Sequence, residues 1–233
     1  MSASSPPRHA LVVGGARGVG AGISAALLDR GWRVSIAGRA HQSPALEARG
    51  AIWRRCDAAD PDDAQALLTA AAPYDALIIA AGAYSRRGLF DETAEGFRAQ
   101  LRDNLDVAFH LLRLGLPPLM AQGWGRVLTF TLSTTHRLQP SPRLPAHAAA
   151  KAALLSLTRS AAFEAGPHGV TVNALALGHI QTEHQHDDTR AARGPTRRLG
   201  TVEEVVAAAL FLLSDEASYI NGAELPVSGG YGV

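Results

Sequence analysis

The chain has 233 residues, of which 47% are apolar and 18% charged, so it can bury the core of one domain. Its formal net charge of +1 gives no reason to expect a nucleic-acid partner, and no apolar run is long enough to span a membrane. A single cysteine excludes an internal disulfide framework and favours a reducing, cytoplasmic setting. We expect residues 1–8 to form a flexible tail and residues 9–233 to form the one domain.

A glycine-rich turn near the start of the chain joins a predicted strand to a predicted helix. The apolar run Ala10–Val13 precedes Gly14, and the helical periodicity after Gly18 and Gly20 continues to about Arg30. Such a turn presents backbone N–H groups and a helix N-terminus to a phosphate, and glycine lets the phosphate approach the backbone. The motif predicts a dinucleotide site, although a tight strand–helix turn without a ligand would leave the same pattern.

The spacing Gly14-x-x-x-Gly18-x-Gly20 resembles the cofactor motif of the short-chain dehydrogenase/reductase family. The resemblance extends from about Arg8 to the C-terminus and implies a single-domain α/β Rossmann fold. Its doubly wound sheet would hold seven parallel strands in the order 3-2-1-4-5-6-7. The resemblance also implies an oxidoreductase that acts on a small molecule and assembles as a homotetramer or dimer.

The end of the second predicted strand indicates which nucleotide is bound. Trp32–Ala37 is followed by Arg39, and no acidic residue stands where an NAD-binding protein would hold the ribose hydroxyls. Arg17 adds a second cation inside the glycine turn, and guanidinium groups match phosphate geometry. We therefore predict NADP(H) as the cofactor, while solvated surface arginines remain the alternative.

Further cofactor contacts follow from the resemblance at later strand ends. The third strand ends at Asp57, which matches the family's adenine contact, and the fourth ends at Ala81-Gly82 without the family's two asparagines. After the sixth strand, Gly178-x-Ile180-x-Thr182 keeps most of the family's nicotinamide-binding loop. The implied cofactor-binding residues are Gly14, Ala16, Arg17, Gly18, Val19, Gly20, Arg39, Asp57, Ala58, Ala81, Gly82, Lys151, Gly178, Ile180 and Thr182.

The catalytic signature departs from the family at one position. The family has a serine after the fifth strand and then Tyr-x-x-x-Lys, whereas this chain has His147-Ala-Ala-Ala-Lys151. The family's spacing places Thr134 at the serine position, with Ser133 as the alternative hydroxyl. Asn104, within a helix expected from about residue 94 to residue 120, matches the family's active-site asparagine, which kinks the helix and holds a water.

The histidine leaves three functions open. Burial and the charge of Lys151 are expected to lower the pKa of His147 below its usual value of about 6.5, so the imidazolium would be scarce near neutral pH. We favour reduction of a C=O, C=N (imine), quinone or enone substrate that needs little acid assistance. The alternatives are a non-redox lyase or isomerase that uses His147 as acid and base, and a catalytically silent NADP-binding sensor or scaffold.

Two more histidines are candidates for substrate contacts. His136 and His179 both follow strand ends, so we expect them to flank His147 and to contact a polar or aromatic substrate. Residues 183–198 occupy the place of the family's substrate lid and are short and polar. The histidines and aspartates of residues 184–188 leave a metal site as an alternative, but without a ligand motif we predict none.

Local signals fix several helix ends. Asp60 before a proline predicts an N-cap, and Thr201 with Glu204 three residues later predicts a capping box. The stretch of residues 40–50 is short for a crossover, so the second helix is expected to be stunted.

Overall fold

The structure, a computed structural model, describes residues 6–40, 42–182 and 194–232. Its core is one sheet of seven parallel strands in the order β3-β2-β1-β4-β5-β6-β7, which confirms the predicted doubly wound Rossmann fold. The strands are β1 (His9–Val13), β2 (Arg33–Gly38), β3 (Ile52–Arg55), β4 (Ala76–Ile79), β5 (Gly125–Leu132), β6 (Val170–Leu177) and β7 (Glu224–Val227).

Helices cover both faces of this sheet. They are α1 (Gly18–Asp29), α2 (Pro44–Glu47), α3 (Pro61–Ala71), α4 (Ala94–Leu101), α5 (Val107–Gln122), α6 (Pro145–Ala165) and α7 (Val202–Leu212). The four-residue α2 is the stunted second helix that the sequence predicts. Within the described ranges, no helix combines the length and the apolar character needed to cross a bilayer.

Alternating side chains of each strand feed two separate cores. In β1, Leu11 and Val13 pack against helices α3, α5 and α6, whereas Ala10 and Val12 pack against α1 and α7. Both cores consist mainly of buried aliphatic side chains, as expected for a parallel sheet covered on both faces. The two layers fix the carboxyl ends of the strands at one edge of the sheet, where the candidate residues lie.

Helix ends follow the predicted capping signals. Asp60 accepts hydrogen bonds from the backbone N–H groups of Asp62 and Asp63 at the start of α3. Thr201 and Glu204 form the reciprocal capping box at the start of α7. Each satisfied cap contributes on the order of 1 kcal/mol to helix stability.

One helix differs from the sequence-based expectation. The long helix expected over about residues 94–120 is divided by a π-helical turn, Arg102–Asp106, into α4 and α5. Helix α6 begins at Pro145, because proline suits the first helical position, so His147 lies in its first turn. Of the expected lid, residues 183–193 lie outside the described part of the chain.

Candidate functional site

The glycine turn between β1 and α1 leaves no room for a side chain at Gly14 or at Gly20. A Cβ on Gly14 would lie 2.5 Å from the backbone nitrogen of Ala81, and one on Gly20 would lie 2.2 Å from the carbonyl oxygen of Gly14. Gly18 has a φ of 51°, in the left-handed region that favours glycine. The turn therefore brings the bare N-terminus of α1 to the edge of the sheet, where it is suited to a phosphate.

A cleft of about 440 Å³ opens in front of this turn. Ten of the fifteen predicted cofactor residues line it: Gly14, Ala16, Arg17, Gly18, Arg39, Asp57, Ala58, Ala81, Gly82 and Thr182. Gly20 lies behind the turn and Val19 packs into the core beneath it. Cys56 and Asp103, which the sequence analysis did not single out, also line the cleft.

Four charged side chains form three ion pairs at the edge of this cleft. Arg39 donates two hydrogen bonds of 3.0 Å to the carboxylate of Asp103. Arg102 donates one of 2.6 Å to Asp57 and another of 3.1 Å to Asp103. Hydrogen bonds from Arg102 and from the backbone N–H of Ala59 hold the pKa of Asp57 below its usual range, despite the opposing effect of burial. Arg39 and Asp57, both predicted to contact the nucleotide, thus already hold protein partners.

The π-helical turn places Asn104 at the inner end of the cleft. Its side-chain nitrogen donates to the carbonyl oxygens of Gln100, at 3.0 Å, and Ala83, at 2.9 Å. The wider turn frees the Gln100 carbonyl from regular helix pairing, and the Asn104 amide satisfies it. The side-chain oxygen of Asn104 is buried without a hydrogen-bond partner among the described residues, so it can accept one from a ligand or a water.

His147 is buried beside this asparagine. Its Nδ1 lies 3.2 Å from the side-chain oxygen of Gln100, which is itself buried. Burial, with a further contribution from the charge of Lys151, lowers the pKa of His147 to about 4, against the opposing effect of the Ala83 carbonyl. The imidazole is therefore neutral near pH 7, and its Nδ1–H is donated to Gln100.

Lys151 lies one helical turn after His147 on the same face of α6. Burial lowers its pKa to about 8, so it is mostly cationic at pH 7. A Cβ on Gly82 would lie 3.5 Å from the ammonium nitrogen and 2.6 Å from the Asn104 oxygen. Gly82 therefore leaves open the space that Lys151 and Asn104 share.

A second cavity of about 370 Å³ lies at the carboxyl ends of β5 and β6. Both predicted hydroxyl candidates, Ser133 and Thr134, line it, and so do Gly178 and His179. Tyr84 also lines it and packs edge-on against His147, with ring centroids 5.4 Å apart. His147 does not itself line the cavity but lies directly behind this tyrosine of its wall.

The C-terminal segment forms one wall of the second cavity. The ring of Tyr231 lies 4.6 Å from that of His179. A Cβ on Gly178 would lie 2.7 Å from Ser228, and one on Gly232 would lie 2.8 Å from the Thr134 methyl group, so the segment passes directly over this region. Close backbone approach at these two glycines holds Tyr231 in place.

Asn104, His147 and Lys151 border the two cavities without lining either, and two further predicted residues lie apart from both. His136 has its Nδ1 3.8 Å from a carboxylate oxygen of the buried Glu224 side chain, and it does not line the second cavity. Ile180 is buried in the core and pairs with Gly200. The possible ligands at residues 184–188 lie outside the described residues, and the described ranges contain no group of three or more metal-ligating side chains.

Sequence reasoning missed Gln100, Tyr84 and Tyr231. Gln100 precedes Asn104 by four residues, so helical spacing alone puts both on one face, and this signal could have found it. Tyr84 and Tyr231 lie in loops without periodicity, and their contacts depend on tertiary packing.

Comparison with known proteins gives the relationship of this chain. A family model described as enoyl-(acyl carrier protein) reductase matches residues 14–232. The 3-oxoacyl-(acyl-carrier-protein) reductase MabA of Mycobacterium avium is 32% identical over 97% of this chain and 90% of its own length. A solved short chain dehydrogenase/reductase family protein superposes with a TM-score of 0.90 at 33% identity, over 97% of this chain and 98% of that one. An actinorhodin polyketide ketoreductase solved with NADPH gives a TM-score of 0.89 at 25% identity, over 97% of both chains.

The fold and the glycine-turn cleft define a dinucleotide-binding enzyme of the α/β class. The chain belongs to the short-chain dehydrogenase/reductase family and is an oxidoreductase of that type. The resemblance carried by the glycine spacing is thereby confirmed.

Proposed function

We propose that the protein is an NADPH-dependent reductase of a small or aromatic C=O, C=N, quinone or enone compound. The observation that carries the proposal is the position of two buried side chains on one face of α6: cationic Lys151 lies beside Gly82 of the first cleft, and neutral His147 packs against Tyr84 of the second cavity. Asn104, Thr134, His147 and Lys151 form its tetrad, in which His147 takes the place of the family's tyrosine. Ser133 is the alternative hydroxyl.

NADPH fits the residues of the first cleft. A Cβ at Gly14 or Gly20 would clash with the backbone of the turn or its neighbours. Glycine at both positions allows the tight turn whose backbone N–H groups are open to a pyrophosphate. Arg39 and Arg17 supply guanidinium groups suited to the 2′-phosphate, and Thr182 stands at the far side of the cleft. The solved ketoreductase with NADPH supports the same cofactor.

When bound, NADPH supplies a hydride to the substrate. Lys151 contributes positive charge beside Gly82 and stabilises the oxyanion that develops on the substrate. Thr134 donates a hydrogen bond that orients the substrate oxygen in the second cavity. The buried oxygen of Asn104 accepts a hydrogen bond from a water that links Lys151 to solvent.

His147 acts as a neutral group in this scheme. Its Nδ1–H is donated to Gln100, so its Nε2 carries a lone pair, and the ring can give a proton to the substrate only after Nε2 has first taken one from water. With a pKa of about 4, it holds an added proton in only a small fraction of molecules at pH 7. Substrates that need little acid assistance, such as an iminium or a quinone, are therefore favoured over simple ketones.

The test is fluorescence titration with NADPH and NADH, followed by NADPH oxidation against ketones, quinones and cyclic imines from pH 5 to 8. We expect tighter binding of NADPH and turnover of cyclic imines or quinones above that of simple ketones. His147→Tyr should raise turnover of simple ketones, because a phenol beside Lys151 is a better donor at pH 7. Ketone turnover that is unchanged in both His147→Tyr and His147→Ala would remove His147 from the mechanism.

The other two functions give different results in the same assays. A non-redox lyase or isomerase would convert its substrate without any change in NADPH absorbance. A silent sensor would bind NADPH, turn over nothing in the panel and bind a second macromolecule differently with and without the nucleotide. Failure to bind either nucleotide would overturn all three.

We further propose a homodimer or homotetramer. Phe109 on α5, Phe163 on α6 and Phe211 on α7 are large apolar side chains exposed on helix faces, which supports association. Light scattering coupled to gel filtration measures the mass, and a monomer at micromolar concentration would contradict the proposal.

A further inference from the structure

Among the residues that the structure describes, the lining of the second cavity includes two arginines and no acidic side chain. The arginines are Arg86 and Arg143. Ser133 and Thr134, the two candidate hydroxyl residues, line the same cavity. A cavity with this balance of charge attracts anions.

Neither guanidinium is paired with an acidic side chain of the described part of the chain. Arg86 and Arg143 form no ion pair and no side-chain hydrogen bond with any described residue, whereas Arg87, next in sequence, lies 3.8 Å from Glu92. In the first cleft, Arg39 already holds a carboxylate. The donors of Arg86 and Arg143 are therefore available to a ligand.

Two adjacent loops carry these arginines. Arg86 lies between β4 and α4, and Arg143 lies just before α6. The loops meet where a Cβ on Gly88 would lie 3.4 Å from the carbonyl oxygen of Pro142. Both arginines thus belong to contiguous parts of the cavity wall, and neither depends on residues 183–193.

We propose that the substrate of this site carries its own anionic group, a carboxylate or a phosphate, held by Arg86 and Arg143. Guanidinium groups bind both anions through paired N–H donors. Tyr84, His179 and Tyr231 add aromatic surface to the same cavity, so a flat or aromatic carbonyl compound fits best. This inference rests on the proposed reductase function, and it makes the two arginines specificity-determining residues outside the catalytic tetrad.

A matched pair of aldehydes tests the role of charge. 4-Formylbenzoate and methyl 4-formylbenzoate have similar size and the same reacting group, but only the first is an anion. We expect kcat/KM with NADPH to be at least about tenfold higher for the anion. A ratio of this size corresponds to the contribution of one pair of charge-assisted hydrogen bonds to binding. Because 4-formylphenyl phosphate offers the other anion, its ratio to 4-formylbenzoate indicates which group the cavity prefers.

Variants assign the effect to the two arginines. Arg86→Gln and Arg143→Gln should each lower the ratio of anion to ester severalfold, and the double variant should bring it close to one. Turnover of the methyl ester and NADPH affinity should stay unchanged. Arg137→Gln is the matched control, because Arg137 is exposed on the same surface loop but does not line the cavity.

The outcomes separate this inference from the proposed function. If the ester is reduced as well as or better than both anions, the reductase function stands and the anion site is wrong. If no aldehyde is reduced, calorimetry with the NADP⁺-loaded protein decides the inference. Tighter binding of 4-(hydroxymethyl)benzoate than of its methyl ester, lost in the double variant, supports the anion site even then, and equal binding overturns it.

Discussion

Arg39 holds both carboxylate oxygens of Asp103 in the structure, although its guanidinium is also the proposed partner of the NADPH 2′-phosphate. The same N–H groups cannot serve both anions in full, so the phosphate competes with Asp103. Arg102 keeps Asp57 as a second partner and does not depend on Asp103. Cofactor preference is therefore set by a balance of charges at the edge of the cleft.

Removing this competitor should strengthen the preference for NADPH. We expect Asp103→Asn to lower the NADPH dissociation constant about fivefold, the ~1 kcal/mol of a partly exposed charge pair, with little effect on NADH. Fluorescence titration measures both constants. Asp106→Asn, an exposed residue of the same π-helical turn, serves as the control. Equal tightening of NADPH and NADH by Asp103→Asn would show that Arg39 does not select the phosphate.

At the scale of the element, the C-terminal segment acts as part of the substrate cavity. Gly229, Gly230 and Gly232 all have positive φ values, between 58° and 83°. Contacts with Pro195 and Thr196 on one side, and with Thr134 on the other, fix the segment along its length. The segment therefore connects the residues that follow the expected lid to the proposed catalytic hydroxyl.

Truncation of the Tyr231 side chain should weaken substrate binding without changing cofactor binding. Tyr231→Ala removes the ring beside His179 and enlarges the cavity, so we expect KM for an aromatic aldehyde to rise about tenfold while the NADPH dissociation constant stays the same. Steady-state kinetics and nucleotide titration measure the two effects. Tyr219→Ala, a fully exposed tyrosine outside both cavities, should change neither. A loss confined to kcat in Tyr231→Ala would argue against a binding role.

For the whole molecule, burial of His147 makes the free energy of unfolding depend on pH. The unfolded chain protonates His147 near pH 6.5 and the folded chain only near pH 4, so the unfolded state binds more protons between these values. The free energy of unfolding should therefore fall by about 2 kcal/mol from this group between pH 7 and pH 5.

Urea unfolding at both pH values checks this expectation. His147→Asn has no such group, so its stability should depend less on pH by about this amount. Buried His9, whose pKa is also lowered chiefly by burial, is present in both proteins and cancels in the comparison. An unchanged pH dependence in His147→Asn would mean that the imidazole is not buried as neutral.

The alternation of apolar strands and helices was sufficient to predict a doubly wound parallel sheet, whereas the order of its seven strands followed from the family resemblance. Asp60 and Thr201 marked helix starts by local chemistry. The family resemblance implied a kink at Asn104, but periodicity could not predict its π-helical form, which a hydrogen bond from the Asn104 side chain to Ala83 in a distant loop stabilises.

The candidate site was predictable only where a motif carried it. The Gly14 turn and the spacing of His147 and Lys151 placed those residues correctly within the fold. His136 was expected to flank His147, but the position of its ring is decided by buried Glu224 on a strand far away in sequence. The pairing of Arg39 with Asp103 is likewise a contact between residues 64 positions apart.

The π-helical turn serves both ends of the nucleotide site. Arg102 and Asp103 on this turn hold charges beside the cleft, while the next residue, Asn104, reaches the space shared with Lys151. Redesign of the turn to accept another nucleotide would therefore disturb proton handling at the same time. Directed evolution of coenzyme use in this enzyme would proceed more safely at the end of β2, around Arg39, which has no direct contact with the tetrad.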